Sequence, residues 1–173
     1  GRSNESTGLF STIGGGHLNI SSFDYATIAG GYLNQSTGNA STVGGGSTNT
    51  SSSDSSTVSG GYNNTASAIG STVPGGLNNV ASGNISFAAG RRAKATSQGC
   101  FVWGDSADAD ITCSNTNRWI ARAGGGVYFY TKSDLSTGMY LASAGSAWNA
   151  VSARDLKENF TLVDTNLLLE NIA

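Results

Sequence analysis

Thr12-Ile13-Gly14-Gly15-Gly16, Thr27-Ile28-Ala29-Gly30-Gly31, Thr42-Val43-Gly44-Gly45-Gly46, Thr57-Val58-Ser59-Gly60-Gly61 and Thr72-Val73-Pro74-Gly75-Gly76 are five versions of one phrase, repeated at a constant 15-residue step. A sixth, Phe87-Ala88-Ala89-Gly90, keeps the step and loses the Thr, and a seventh, Phe101-Val102-Trp103-Gly104, arrives one residue early. Asn keeps the same time at Asn4, Asn19, Asn34, Asn49, Asn64 and Asn79. Self-similarity at a fixed period dictates architecture before any local propensity does. This step is too short for a helical hairpin and suits one turn of a β-coil.

Alternation along a strand puts Thr and its β-branched neighbour on opposite faces. Ile13, Ile28, Val43, Val58 and Val73 therefore read as an inward ladder, and the Thr column as an outward one. Gly15, Gly30, Gly45, Gly60, Gly75 and Gly90 read as one fixed station, a corner that needs φ > 0 or close backbone approach. The Asn column reads as a second turn, since Asn tolerates the left-handed region. Coils about 4.8 Å apart make six of them a rod of about 25–30 Å. One Ile or Val per coil is little apolar surface against the entropy of ordering the whole coil. Several chains are thus expected to pool their ladders around an axis. The expected fold class is all-β, a parallel β-roll or β-solenoid of 15-residue coils, intertwined or packed as a homotrimer, with a short C-terminal helix.

Composition agrees with a repeat array. The 173 residues include 25 Gly and 1 Pro, and 12% are charged, against about 25% in a typical soluble domain. Such a composition also occurs in disordered linkers, but disorder has no reason to keep register. Before position 91 the charges are Arg2, Glu5, Asp24 and Asp54; the other 8 basic and 8 acidic residues follow. A net charge of −2 gives no electrostatic footprint for nucleic acid, and no apolar run is long enough to span a bilayer. The polar opening from Gly1 is not a signal peptide, so a secretion signal is expected to have been removed or to lie outside this segment. Gly runs such as Gly44-Gly45-Gly46 lack the Gly-Lys-Ser/Thr of a phosphate cradle. With two Cys and the single His17, no metal site is expected, and no cofactor.

The pattern Ser-x-x-x-Gly-Gly-x-x-Asn-x-(Ala/Ser)-Ser resembles the head repeats of trimeric autotransporter adhesins and related trimeric fibres, over about residues 4–110. The resemblance implies a left-handed parallel β-roll in which three chains share a core. The family's period is nearer 14 than 15.

Cys100 and Cys113 are separated by slightly less than one coil, which puts them on neighbouring rungs within disulfide reach. An intrachain disulfide is expected, in keeping with an extracellular setting; two reduced thiols and an interchain link are the alternatives. Asn-x-Ser/Thr sequons start at Asn4, Asn19, Asn34, Asn39, Asn49, Asn63, Asn84 and Asn159. Turn chemistry alone accounts for much of this, since corners favour Asn and Ser. In a glycosylating source the column is expected to carry sugars on the outer surface. The outward Thr ladder resembles that of insect ice-binding solenoids in period, without their Thr-x-Thr strands or many disulfides.

After Gly104 the period fails. Residues 117–123, 126–131 and 139–142 read as strands, with Gly145–Trp148 leading out. Ser152-Ala-Arg-Asp-Leu-Lys-Glu-Asn-Phe160 resembles the opening of the auto-cleaving intramolecular chaperone domain of phage tailspikes and tail fibres, and Val163-Asp164 and Leu167–Ala173 continue the likeness. In that family the domain trimerises, drives folding of the upstream fibre and then cuts itself off. Carried over, Ser152 is the nucleophile and Lys157 its base, chemistry that a desolvated Lys supports. Ala153 stands where the family has Asp, and the stretch from Ser152 to Ala173 is much shorter than that domain. A connector is therefore expected rather than activity, with Asp164 or Thr165 capping a helix whose Leu167, Leu168 and Ile172 pack between chains.

Three regions are expected: β-coil repeats over 1–95, a transition region with the Cys pair over 96–151, and the chaperone-like stump over 152–173. The expected role is a structural, non-enzymatic trimeric fibre, extracellular, at a cell surface or virion-associated. Its expected partners are further copies of itself, in a trimer or a longer filament, and a host surface or glycans. The rival readings are a self-cleaving Ser/Lys precursor and a glycan- or ice-binding solenoid. A precursor running past Ala173 tests the first rival: the connector reading expects the same single gel band with and without Ser152→Ala, and a cleaved pair that Ser152→Ala abolishes overturns it.

Overall fold

The computed structural model describes residues 1–152, in two compact units that meet in sequence at Arg122–Ala123. The expected C-terminal helix, Lys157 and Asn159 lie outside the described residues.

The first unit is an all-β parallel β-solenoid of about eight coils. Each coil lends one short strand to each of two parallel sheets. One sheet stacks Glu5–Ser6, Ile20–Ser21, Gln35–Ser36, Thr50–Ser51, Thr65–Ala66, Val80–Ala81, Ala93–Ala95 and Ile111–Cys113. The other, the Thr sheet, stacks Thr12–Ile13, Thr27–Ile28, Thr42–Val43, Thr57–Val58, Thr72–Val73, Phe87–Arg91, Phe101–Gly104 and Trp119–Arg122, with Gly76–Leu77 paired beside Phe87–Arg91. Single bridges running from Arg2 through His17, Tyr32, Ser47 and Tyr62 to Leu77 mark a third line of contact.

Strands are short because two left-handed corners interrupt every full-length coil. One falls just before the Asn, at Leu18, Leu33, Thr48, Asn63 and Asn78; the other falls between the sheets, at Phe10, Tyr25, Ala40, Ser55, Gly70 and Ile85. This conformation costs a non-Gly residue roughly 1–2 kcal/mol. Each corner gains a bond in return. Most backbone N–H groups donate forward to the next coil, whereas a corner N–H turns back, as from Leu33 to His17 O and from Ala40 to Asp24 O. The left-handed residue is thus the one before the Asn, which corrects the expectation that the Asn itself makes the turn.

Asn lies inside. Asn19, Asn34, Asn49, Asn64 and Asn79 are fully buried. The Oδ1 of Asn49 accepts the backbone N–H of Asn64 at 3.0 Å, and its Nδ2 donates to Gly45 O in its own coil and Gly61 O in the next, both at 2.9 Å. The same three bonds recur at Asn34 and Asn64, and Asn79 ends the series by accepting the N–H of Ala93. The Gly-Gly doublet and the Asn therefore share a period because they are two sides of one contact.

That contact also moves the constrained glycine. Gly16, Gly31, Gly46, Gly61 and Gly76 have φ between 81° and 99°. A Cβ on Gly46 would overlap the Gly61 carbonyl oxygen and stand 2.8 Å from Asn49 Nδ2. A Cβ on Gly15 or Gly60 would meet nothing within 4 Å. The expected station at Gly15, Gly30, Gly45, Gly60 and Gly75 is thus the roomier of the two, although Gly45 and Gly75 still have positive φ. Gly90 belongs to the other column, because it pairs with Gly76 while Phe87 pairs with Thr72. The one-residue shortening therefore falls between Phe87 and Gly90, one coil earlier than the sequence spacing places it.

Ile28, Val43, Val58, Val73, Ala88 and Val102 are fully buried within their own coils, joined by Ala66, Ala81 and Ala95. Ile13, at the open first coil, is partly buried against them. The expected pooling of this ladder between chains is corrected: one chain closes its own core. Ser side chains fill the remaining interior and satisfy one another, as in the 2.7 Å hydroxyl contacts Ser36–Ser41 and Ser51–Ser56.

The coils run on to Arg122, past the boundary expected at residue 95, and Trp119–Arg122 is their last strand rather than part of a neck. The second unit, as far as it is described, is an antiparallel sheet of Gly126–Tyr130, Thr137–Ala142 and Asn149–Ser152. Tyr128 stacks on Tyr140 and Tyr130, and Phe129 meets Trp148. In its hairpin, the Ser136 hydroxyl and N–H both donate to Asp134 and hold that carboxyl below its ordinary range.

The two glycine columns separate experimentally. Gly46→Ala is expected to cost about 2 kcal/mol or more in chemical denaturation. Gly60→Ala should be neutral or stabilise by about 0.4–1 kcal/mol by restricting the unfolded chain. Equal effects would contradict the assignment.

Candidate functional site

The regular coils already expose large side chains, among them Phe10, Tyr25, Tyr32 and Tyr62, but the outward column of the Thr sheet is small and polar until its C-terminal end. Thr12, Thr27, Thr42, Thr57 and Thr72 stand in register on the outer side of the Thr sheet. Their column continues as Phe87, Phe101 and Trp119. Phe87 stacks on Phe101 at 4.5 Å between centroids with the planes 3° apart, and Phe101 meets Trp119 at 6.4 Å. Aromatic residues one coil apart in a parallel sheet have little choice but to stack, and such pairs add about 0.5–1.5 kcal/mol beyond their buried area.

The next column along holds Trp103, in register with Ala89 on one side and Ala121 on the other. It edges a shallow, largely open cleft lined also by Gly90, Arg91, Gly104, Asp105 and Ser106. One wall is an insertion. Ala93 pairs with Ile111, further along the chain than a regular coil would reach, so the corner that holds Arg91 and Arg92 in one coil holds residues 105–110 in the next.

Three arginines pin that loop. Arg91 pairs with Asp108 at 3.0 Å and donates to Ser106 O; Arg92 pairs with Asp110 at 2.8 Å and Asp108 at 3.3 Å. Arg122, at the end of the last coil, pairs with Asp105 at 2.6 Å and donates to Ala107 O and Ala109 O. The hydrogen bond from Arg92, aided by its charge, holds the Asp110 carboxyl below its ordinary range, and Asp110 in turn raises the guanidinium. These solvent-accessible pairs order the loop more than they stabilise the fold. The sequence reading missed the loop and the cleft, although Arg91-Arg92 followed by Asp105, Asp108 and Asp110 is a visible signal.

The Cys pair is a disulfide between Cys100 and Cys113, with Cα atoms 6.1 Å apart and both residues buried. Cys100 follows the Ser71–Ser86 column, and Cys113 stands over Ala95. The bond therefore joins two coils at the stations that serine hydroxyls bridge within one coil lower in the stack.

The sequons divide by burial. Asn19, Asn34 and Asn49 are fully buried with both amide atoms engaged, which corrects the expectation that this column faces outward. Asn4 and Asn39 are half-buried, and Asn63 and Asn84 are exposed. The structure describes Ser152 only as the last residue of an edge strand whose backbone pairs with Thr137. Among the described residues no group of His, Cys, Asp and Glu side chains is placed to hold a metal ion, and no helix is long and apolar enough to cross a membrane.

A family model described as the Ubiquitous surface protein adhesin repeat matches residues 56–68. Those residues hold one Thr-sheet strand, the Gly60-Gly61 corner, Asn64 and the following Thr65–Ala66 strand. The match thus falls on the glycine–asparagine contact. No curated protein matches the chain.

Removing the staple with Cys100→Ser and Cys113→Ser together is expected to lower unfolding stability by about 2–4 kcal/mol, as for a loop of this length. Thermal melts with and without reductant check this. An unchanged midpoint would mean that the coils hold these stations together unaided.

Proposed function

We propose that this chain is an adhesin-like structural segment of a trimeric surface fibre, without enzymatic activity of its own. One observation carries the reading: the adhesin-repeat match falls on the coil contact that recurs from Asn4 to Asn79. A coil that satisfies its own backbone, its buried amides and its Ile or Val ladder is a unit for extension. Copies add length, and every added coil closes the edge of the one before it. Projection and spacing need this property, and a substrate pocket does not.

The trimer proposed here joins closed solenoids by their outer surfaces rather than by a pooled Ile/Val ladder. The segment from Ser152 onward supports three-chain register through its resemblance to fibre chaperones. The setting is extracellular, at a cell or virion surface.

Light scattering on the intact chain is expected to give three times the 17.5 kDa chain mass, and coated beads are expected to adhere to host cells. A stable monomer overturns the trimer. Beads that bind no better than uncoated ones overturn the adhesin role.

A further inference from the structure

We propose that the cleft beside Trp103 is a saccharide site that takes a neutral pyranose ring against the indole face. This deepens the adhesin reading by naming a ligand class and a place for it. Phe87 and Phe101 stack face to face, and Trp119 tilts against Phe101. Trp103 does neither: its register neighbours are Ala89 and Ala121, each with no more than a methyl group. Its side chain is 40% exposed and has no ring partner among the described residues. A large aromatic left open beside a concavity, rimmed by polar groups, is the usual composition of a ligand groove.

The rim narrows the chemistry. Arg91 is paired with Asp108, and Asp105 with Arg122, so the charges lining the cleft are already balanced. An ionic ligand would have to break these pairs, whereas hydroxyl groups share them, donating to carboxylate oxygens and accepting from guanidinium N–H groups. A pyranose offers such hydroxyls around its edge and a face of C–H bonds whose partial positive charge suits the negative π face of indole. Another copy of the chain would also cover an aromatic surface, but such interfaces are depleted of carboxylates and rich in aromatic residues and Arg, so it is Asp105 that argues against one. Here Asp105 lines the cleft itself.

The test begins with the intact chain on an array of neutral mono- and oligosaccharides, followed by an indole-fluorescence titration with the best-bound sugar. Binding is expected, with Trp103→Ala weakening it at least tenfold and Trp103→Phe retaining part of it. Circular dichroism and melting temperature should stay unchanged, since Trp103 lies on the outer side of its strand. A blank array, or a Trp103→Ala variant that binds as tightly as the parent, overturns the proposal. Loss of the oligomer on Trp103→Ala also overturns it and marks the surface as a contact between copies. The two readings fail separately: host cells that bind parent and Trp103→Ala equally leave adhesion standing and remove this site, whereas beads coated with the parent that bind no better than uncoated ones remove adhesion.

Discussion

One carboxamide in each coil donates to two glycine carbonyls and accepts one backbone N–H, and the regular part of the solenoid is organised around it. Asn49 bonds Gly45 in its own coil, Gly61 in the next and the N–H of Asn64. No other side chain of this size does all three. Asp lacks the donors, Ser lacks the second donor, and Gln carries an extra methylene into a packed interior. Such bonds contribute about 0.5–1.5 kcal/mol each, while stranding a buried partner costs about 1–3 kcal/mol. Burying a Val or Ile side chain stabilises by about 1.5–3 kcal/mol. The polar ladder thus matches the apolar one in weight, which is why a chain with so few large apolar residues closes a core alone.

Period and length follow from the same contact. While Asn persists, the glycine doublet and the 15-residue step persist with it. The interior meanwhile turns apolar, from Ser51 to Ala66, Ala81, Ala95 and Cys113 along one column, and from Asn79 to Ala93 and Ile111 along another. Once the amide is gone, no atom requires two glycines at a set distance. The corner shortens by one residue at Gly90, where Asn79 still reaches the carbonyl but no amide follows in the same coil, and it lengthens at 105–110 in the next. Charge gathers where that freedom begins, and the Cys100–Cys113 bond ties the last coils where the asparagine ladder no longer does.

Much was legible beforehand. The coil, the inward Ile and Val ladder, the outward Thr ladder and neighbouring Cys rungs all follow from a station that recurs at a fixed interval. What failed to read through was polarity. Asn and Gly favour exposed corners on local grounds, and Asn19, Asn34 and Asn49 also sit in sequons, so local chemistry pointed outward. A short polar residue whose partners lie one corner back and one coil ahead looks identical in sequence to one at a solvated turn.

By itself, then, the sequence determined the repeat, its parallel stacking and the alternation of its strands, because identical residues at identical intervals must occupy equivalent environments. Only the tertiary structure decided which of two adjacent glycines is confined, that the asparagines lie inside and that one chain suffices for the core. Those outcomes depend on the approach of one coil's backbone to the next. The distances involved, about 3 Å between an amide and two carbonyls, exist only once the coils are stacked.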